Sequence, residues 1–185
     1  ELSARYDGSW KFPPHHRWGF FPSGSLGWRI SEEGFWKDTK IGAIVSDLKL
    51  RGSYGMMGDD NVSGYSACDF MSGYNYKNGG SVIDGKYTIG SVPRGLPVTT
   101  LSWIEAKILD IGFDASFFQG KLTGTFDFFQ RKRTGLPASR YDVLIPSEAG
   151  FSLPKENLNS DMNLGYDASA RWNDKAGDLN YSVGV

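Results

Sequence analysis

The run Arg17-Trp18-Gly19-Phe20-Phe21-Pro22-Ser23-Gly24-Ser25-Leu26-Gly27-Trp28-Arg29-Ile30-Ser31-Glu32-Glu33 decides how the rest of the chain is read. Every second residue from Trp18, namely Trp18, Phe20, Pro22, Gly24, Leu26, Trp28 and Ile30, is apolar or small. The intervening set, Arg17, Gly19, Phe21, Ser23, Ser25, Gly27 and Arg29, is small or charged, with Phe21 the exception. Strands of soluble domains usually run about 5–6 residues, and this alternation persists for about twice that. Ten residues at roughly 3.3 Å each, tilted by about 45°, rise some 23 Å, close to the apolar band of an outer-membrane barrel. Indole rings near both ends suit the two water interfaces. The run predicts a membrane β-strand.

Outward from it the same period returns. On the N-terminal side Leu2, Ala4 and Tyr6 alternate with Ser3, Arg5 and Asp7. Gly8 to His16 then forms a turn, where Pro13-Pro14 blocks both helix and ladder pairing. On the C-terminal side Ser31 reads as the N-cap of a helical turn, with Glu32 and Glu33 near its positive end. Phe35 and Trp36 are expected to dock that turn. From Asp47, Leu48, Leu50, Gly52, Tyr54 and Met56 alternate with Lys49, Arg51 and Ser53. Two basic side chains one step apart are costly against lipid, so this polar face is assigned to a wet lumen.

Residues 57–103 break the pattern and read as a long loop, with short strand pairs allowed inside it, as around Tyr87-Thr88-Ile89. A hairpin follows: Leu109, Ile111, Phe113, Ala115 and Phe117 alternate with Asp110, Gly112, Asp114 and Ser116. Gln119-Gly120 makes the turn, and Leu122, Gly124, Phe126 and Phe128 return against Thr123, Thr125, Asp127, Phe129 and Arg131. Residues 134–160 are a second long loop. Leu164, Tyr166, Ala168, Ala170 and Trp172 then oppose Asn163, Gly165, Asp167, Ser169 and Arg171, and a turn at 173–178 leads to a last strand. The fold class expected is all-β, with antiparallel up-and-down strands, about seven of them, forming part of a transmembrane β-barrel. Short connections alternate with long ones, as periplasmic turns do with outer loops. The segments 8–16, 57–103 and 134–160 are therefore expected outside the cell, and the 31–44, 119–120 and 173–178 connections in the periplasm.

Several blocks in order carry a resemblance: R-Y-D-G-S at 5–9, R-W-G-F-F-P-S at 17–23, G-W-R-I-S-E-E at 27–33, S-D-L-K-L-R-G-S-Y-G at 46–55 and F-S-L-P-K-E-N-L-N-S-D at 151–161. Together with the Tyr-Ser-Val-Gly ending at Gly184, they resemble the SusC/RagA family of TonB-dependent outer-membrane transporters. The resemblance runs from near residue 5 to the end and thins after Gly58. It implies residence in the outer membrane, against lipid, and uptake of glycan or peptide fragments too large for porins. It also implies a SusD-like surface lipoprotein over the barrel, and TonB acting through a plug domain absent from these residues. The chain, 1–185, then reads as one internal barrel segment of a longer polypeptide.

At 185 residues the chain has the length of one domain. A net charge of −1 gives no electrostatic footprint for nucleic acid, so none is expected as a partner. Gly at 24, Phe at 12, Tyr at 9 and Trp at 6 suit a β-protein with many turns and ring-lined surfaces. Mean hydropathy of −0.38 hides lipid-facing residues among lumen-facing ones. Cys68, the single cysteine, has no disulfide partner here, and Ser66, Ala67 and Asp69 around it read as an open loop.

Chemistry-bearing groups are few. His15 and His16 are adjacent, point opposite ways on an extended chain and lack a third ligand. Asp59-Asp60-Asn61 with Asp69 has oxygen donors without the spacing of a calcium loop. Asp110, Asp114 and Asp127 share the polar face among Ser, Thr and Arg, as a hydrated wall or plug contact does, so no enzyme, metal or cofactor is assigned. Tyr65, Phe70, Tyr74, Tyr76 and Tyr87 lie among polar neighbours in the first long loop. Such rings suit stacking on sugars or gripping peptides; packing of the loop onto itself is the bland alternative. A second overall reading is a soluble β-sandwich or adhesin-like binding module. That reading requires each apolar face to meet another sheet.

Overall fold

The decisive run is a single strand, β2 (Trp18–Arg29), and it pairs on both sides. A computed structural model describes residues 1–42, 44–62, 64–65 and 68–185, with Asn78 described by its backbone. The described residues contain β1 (Leu2–Gly8), β2, a short helix α1 (Gly34–Lys37), β3 (Val45–Asp59), β4 (Tyr74–Ile83), β5 (Lys86–Pro93), β6 (Ile104–Phe117), β7 (Leu122–Ala138), β8 (Glu156–Ala176) and β9 (Leu179–Gly184). Seven strands form one sheet in the order β1-β2-β3-β6-β7-β8-β9, every pair antiparallel. This is an up-and-down meander, open at β1 and β9. The other two strands, β4 and β5, pair only with each other.

Register follows from the side-chain pattern. A slip of one residue would turn a strand's whole apolar set to the other face. The observed register sets Leu26 opposite Gly52, Leu50 opposite Phe113, Ile111 opposite Phe128, Phe126 opposite Ala168 and Trp172 opposite Val183. The rings of Phe113 and Phe126 stack at 5.7 Å, and those of Tyr6 and Trp18 at 5.1 Å. Among the described residues no second sheet lies over this face, and Leu26 and Tyr166 are 79% and 73% exposed. A sandwich needs that face covered.

The opposite face is charged and cross-linked. Arg51 in β3 reaches Asp114 of β6 at 3.3 Å and Asp127 of β7 at 2.7 Å, so one guanidinium ties three strands. Thr125 and Ser169 share a hydroxyl hydrogen bond at 2.7 Å between β7 and β8. Arg133 and Asp161 form an ion pair farther along the same two strands.

The ends of the sheet differ. At one end lie the connection after β2 and the turns at 118–121 and 177–178. There the Phe118 amide donates to the Ile44 carbonyl at 2.9 Å, and the Asn173 amide to the Lys121 carbonyl at 2.7 Å. Ser31 is not an N-cap. It sits inside a single 3-10 turn, Ile30–Glu32, and its hydroxyl donates to Asp47 at 2.6 Å, tying that turn to β3. Trp36 docks as expected, its indole N–H on the Val45 carbonyl at 3.4 Å, whereas Phe35 stays exposed.

The other end carries the long connections and the packed core. Phe12, Val62, Val98, Leu101 and Ile104 are buried together, with Tyr65, Trp103 and Leu136 against them. The rings of Phe12 and Phe21 each meet the edge of Trp103 at 5.3 Å. Phe21, the odd ring on the polar side of the decisive run, is 7% exposed here. A Cβ on Gly58 would lie 2.0 Å from that ring, so glycine makes the room it occupies.

The strands outrun their apolar pattern. β3 continues to Asp59, β7 to Ala138, and β8 begins at Glu156, which shortens the loop expected at 134–160 to residues 139–155. Backbone ladders hold these extensions without alternation to mark them.

Candidate functional site

Two long connections meet above the packed core, and each is anchored before it meets the other. The Asn157 side chain, at the start of β8, takes the Ser102 amide at 3.1 Å. It donates in turn to the Ser102 and Gly135 carbonyls at 3.0 and 2.6 Å. The Trp103 indole N–H donates to the Arg17 carbonyl at 3.1 Å. The turn after β1 is clipped to the end of β3, where the buried Ser9 hydroxyl donates to Asp60 at 2.8 Å and the Lys11 ammonium lies 3.1 Å from the same carboxylate. The Ser9 hydrogen bond, opposed by burial and assisted by Lys11, holds the Asp60 carboxyl below its ordinary range.

Between the two connections lies a cavity of about 830 Å³, within the size range of ligand pockets. Gly64, Tyr65, Asp69, Met71 and residues 93–98 of the first connection line it, together with Ser147, Gly150, Phe151, Ser152, Pro154 and Lys155 of the second. The Tyr65 hydroxyl spans the gap and donates to the Lys155 carbonyl. Burial, then the Glu156 and Asp69 carboxylates, push the Tyr65 phenol above its ordinary value, so it stays a neutral donor. Arg94 comes to the groove from the first connection, and Phe151 and Lys155 come from the second.

From one side of the groove rises the β4–β5 hairpin. Its turn is Asp84-Gly85, with φ of 55° and 73°, both left-handed and matched to the twist of a two-residue hairpin. Pairing sets Tyr74 opposite Pro93, Tyr76 opposite Ser91 and Val82 opposite Tyr87. Tyr74, Tyr76 and Tyr87 therefore share one face of the arm with Ile89, and Tyr76 is 81% exposed.

Of the five rings singled out from sequence, Tyr65 lines the groove, Phe70 is half-buried beside it, and Tyr74, Tyr76 and Tyr87 stand on the arm. They divide between two places. Sequence reasoning missed Arg94, Phe151 and Lys155 as site residues: Phe151 and Lys155 fall in the 151–161 block that carries the resemblance, where they were given no role, and only the Pro and Gly residues beside Arg94 signal an exposed loop. Cys68 is partly exposed, with φ of 66°, while Ser66 and Ala67 beside it lie outside the described residues. His15 and His16 are exposed in a 3-10 turn, and Asp59 accepts the Asn61 amide at 2.8 Å. Among the described residues no group of three or more His, Cys, Asp or Glu is gathered to hold a metal ion.

Comparison with known proteins covers the whole chain. The family described as TonB dependent receptor-like, beta-barrel, matches residues 1–185. The TonB-dependent receptor SusC of Bacteroides thetaiotaomicron is 32% identical over 188 residues, covering 98% of this chain and 18% of that protein. The TonB-dependent receptor P3 of Formosa agariphila is 31% identical over 169 residues, covering 91% of this chain and 16% of that protein. The chain thus spans less than a fifth of the length of these relatives. Among solved structures, the RagAB peptide importer in its 'open-open' state superposes with a TM-score of 0.76 at 22% identity, covering 99% of this chain and 19% of that one. That likeness is one of fold.

Proposed function

This chain belongs to the TonB-dependent receptor-like β-barrel family, and from that premise we propose that it forms a sector of wall and mouth in an outer-membrane nutrient importer. The observation that carries the reading is the division of one seven-stranded meander into a continuous uncovered apolar face and a charge-paired face. A tilted strand needs about 9–11 residues to cross the hydrocarbon. β8, with 21, rises well beyond that and carries the rim. In this reading the apolar face meets lipid, the Arg51 face meets the lumen and its plug, and the packed end lies outside the cell. No bond is broken by this sector; it is wall and capture surface.

The cargo is a glycan or peptide fragment, a reading supported by kinship to SusC and by likeness of fold to a peptide importer. Tyr65, Phe70, Tyr74, Tyr76 and Tyr87 supply rings for capture at the mouth. A SusD-like lipoprotein covers that mouth, and TonB acts through the plug, elsewhere in the receptor.

Membrane disposition is tested through Cys68. A membrane-impermeant maleimide added to intact cells is expected to label the receptor at Cys68. In a Cys68→Ser background, Asp178→Cys in the short 177–178 turn is expected to react only after the outer membrane is permeabilised. The reverse pattern would invert the topology and put the proposed capture surface on the wrong side.

A further inference from the structure

We propose that the groove between the two long connections binds a peptide segment bearing acidic side chains, with Arg94 and Lys155 as its counter-charges and Tyr65 and Phe151 as its walls. This deepens the importer reading and rests on it. Three features of the groove point to that cargo.

Charge is the first. Arg94 and Lys155 are exposed, line the cavity from the two different connections, and enter no ion pair among the described residues. Asp69 is the acidic residue of the lining, so the cations there outnumber it two to one; Glu156, which also acts on the Tyr65 phenol, lies outside the lining and is paired with Arg140 at 3.9 Å. Arg94 is also held in place. Its stem lies over Gly73, where a Cβ would sit 3.1 Å from Cδ, and its Nε donates to the neutral amide of Asn75 at 3.4 Å. A guanidinium anchored by a neutral partner keeps its full charge for a carboxylate, which it can grip with two parallel N–H groups.

The second feature is the rest of the lining. Met71, Leu96, Pro97, Phe151 and Pro154 give it apolar walls, and no Asn or Gln is among the lining residues. The apolar side chains of a peptide call for walls of this kind. Alternating acidic and apolar side chains on an extended peptide fit both the cations and the walls.

The third feature is pre-organisation. The Tyr65–Lys155 hydrogen bond and the Asn157 anchor fix the two sides before any ligand arrives, which lowers the ordering cost of binding.

The test uses the intact receptor in detergent and fluorescein-labelled octapeptides read by anisotropy. A Glu-Leu repeat is expected to bind at least about tenfold tighter than a Gln-Leu repeat, the scale of a charge-assisted contact. The preference is expected to weaken as salt rises. Arg94→Gln with Lys155→Gln is expected to erase the preference while leaving the thermal unfolding of the barrel unchanged. Equal binding of both peptides, or a preference that survives the double variant, would overturn the assignment. So would an oligogalacturonate that binds in place of the peptide and is lost in the same variant, since it would hand the groove to acidic glycans. Uptake by cells separates this failure from failure of the importer reading. Import of peptides regardless of charge removes only the groove's role, whereas no import of peptide or oligosaccharide removes the reading beneath it.

Discussion

Phe113 in the sheet and Leu101 at the long-loop end are both large apolar side chains, yet 40% of the first is exposed and 1% of the second. Leu101 is buried by its own chain, among Phe12, Val62, Val98 and Ile104. Phe113 has a stacked neighbour in Phe126 and, among the described residues, no layer packed over it. The sheet is ordered by its ladder and by whatever solvent wets its apolar face. The loop end is ordered in the way soluble domains are, by removing apolar surface from water. In the proposed membrane setting one chain uses two solvents, and the same residue type means different things in each.

Substitutions sharpen the contrast. As a prediction, Leu101→Ala should cost about 2–5 kcal/mol locally, the usual range for a leucine cut back in a packed site. The loss should appear as faster hydrogen exchange across residues 9–17, 60–65 and 96–104, with exchange in β6 and β7 unchanged. A matching collapse of the sheet would mean that the two regions are one cooperative unit.

The second prediction works in the other direction. Phe113→Arg should lower stability by about 2–4 kcal/mol, the cost of arginine on the lipid face of a barrel, read by urea unfolding of the whole receptor in lipid vesicles. Ser53→Arg should do little, because Ser53 is on the charged face and pairs across the ladder with Asp110. Asp114 is a poor control, since it already holds Arg51 at 3.3 Å. Equal damage at both positions would break the distinction between the faces.

The smallest effect belongs to the clip at Asp60. Its folded pKa lies below the ordinary 3.8 because the Ser9 hydroxyl, and then Lys11, favour the charged form. The stabilisation is therefore complete above the ordinary carboxylate range and is lost as pH falls through the lowered folded value. Exchange protection of residues 9–11, corrected for intrinsic rates, should fall below about pH 4. In Asp60→Asn it should be low and flat with pH. A wild-type profile as flat as the variant's would remove Asp60 as the clip.

The same contrast explains what could be read in advance. The sheet was legible because the same period of two returns in each of its seven strands, and a one-residue slip is forbidden wherever one face is apolar. Leu158 and Met162 stand too far apart among Asn, Ser and Asp to show that β8 starts at Glu156. Asp84-Gly85 is a strong hairpin signal, hidden by flanks of Lys, Asn and Gly that do not alternate. Ser31 fits a cap by type, yet Asp47, sixteen residues on, offers its hydroxyl a charged acceptor. Arg94 and Lys155 meet only through the fold, which no local pattern encodes.

Asn157 has a consequence for engineering. Its amide fastens Ser102 and Gly135 at the base of the rim, below the point where the β4–β5 arm departs. What lies beyond that fastening is thermodynamically detachable. Lengthening a surface loop costs little, since closure entropy grows only with the logarithm of length. The Asp84-Gly85 tip is therefore a graft point, where an epitope or a reporter can replace the arm's end while the register of the strands beneath stays as it is.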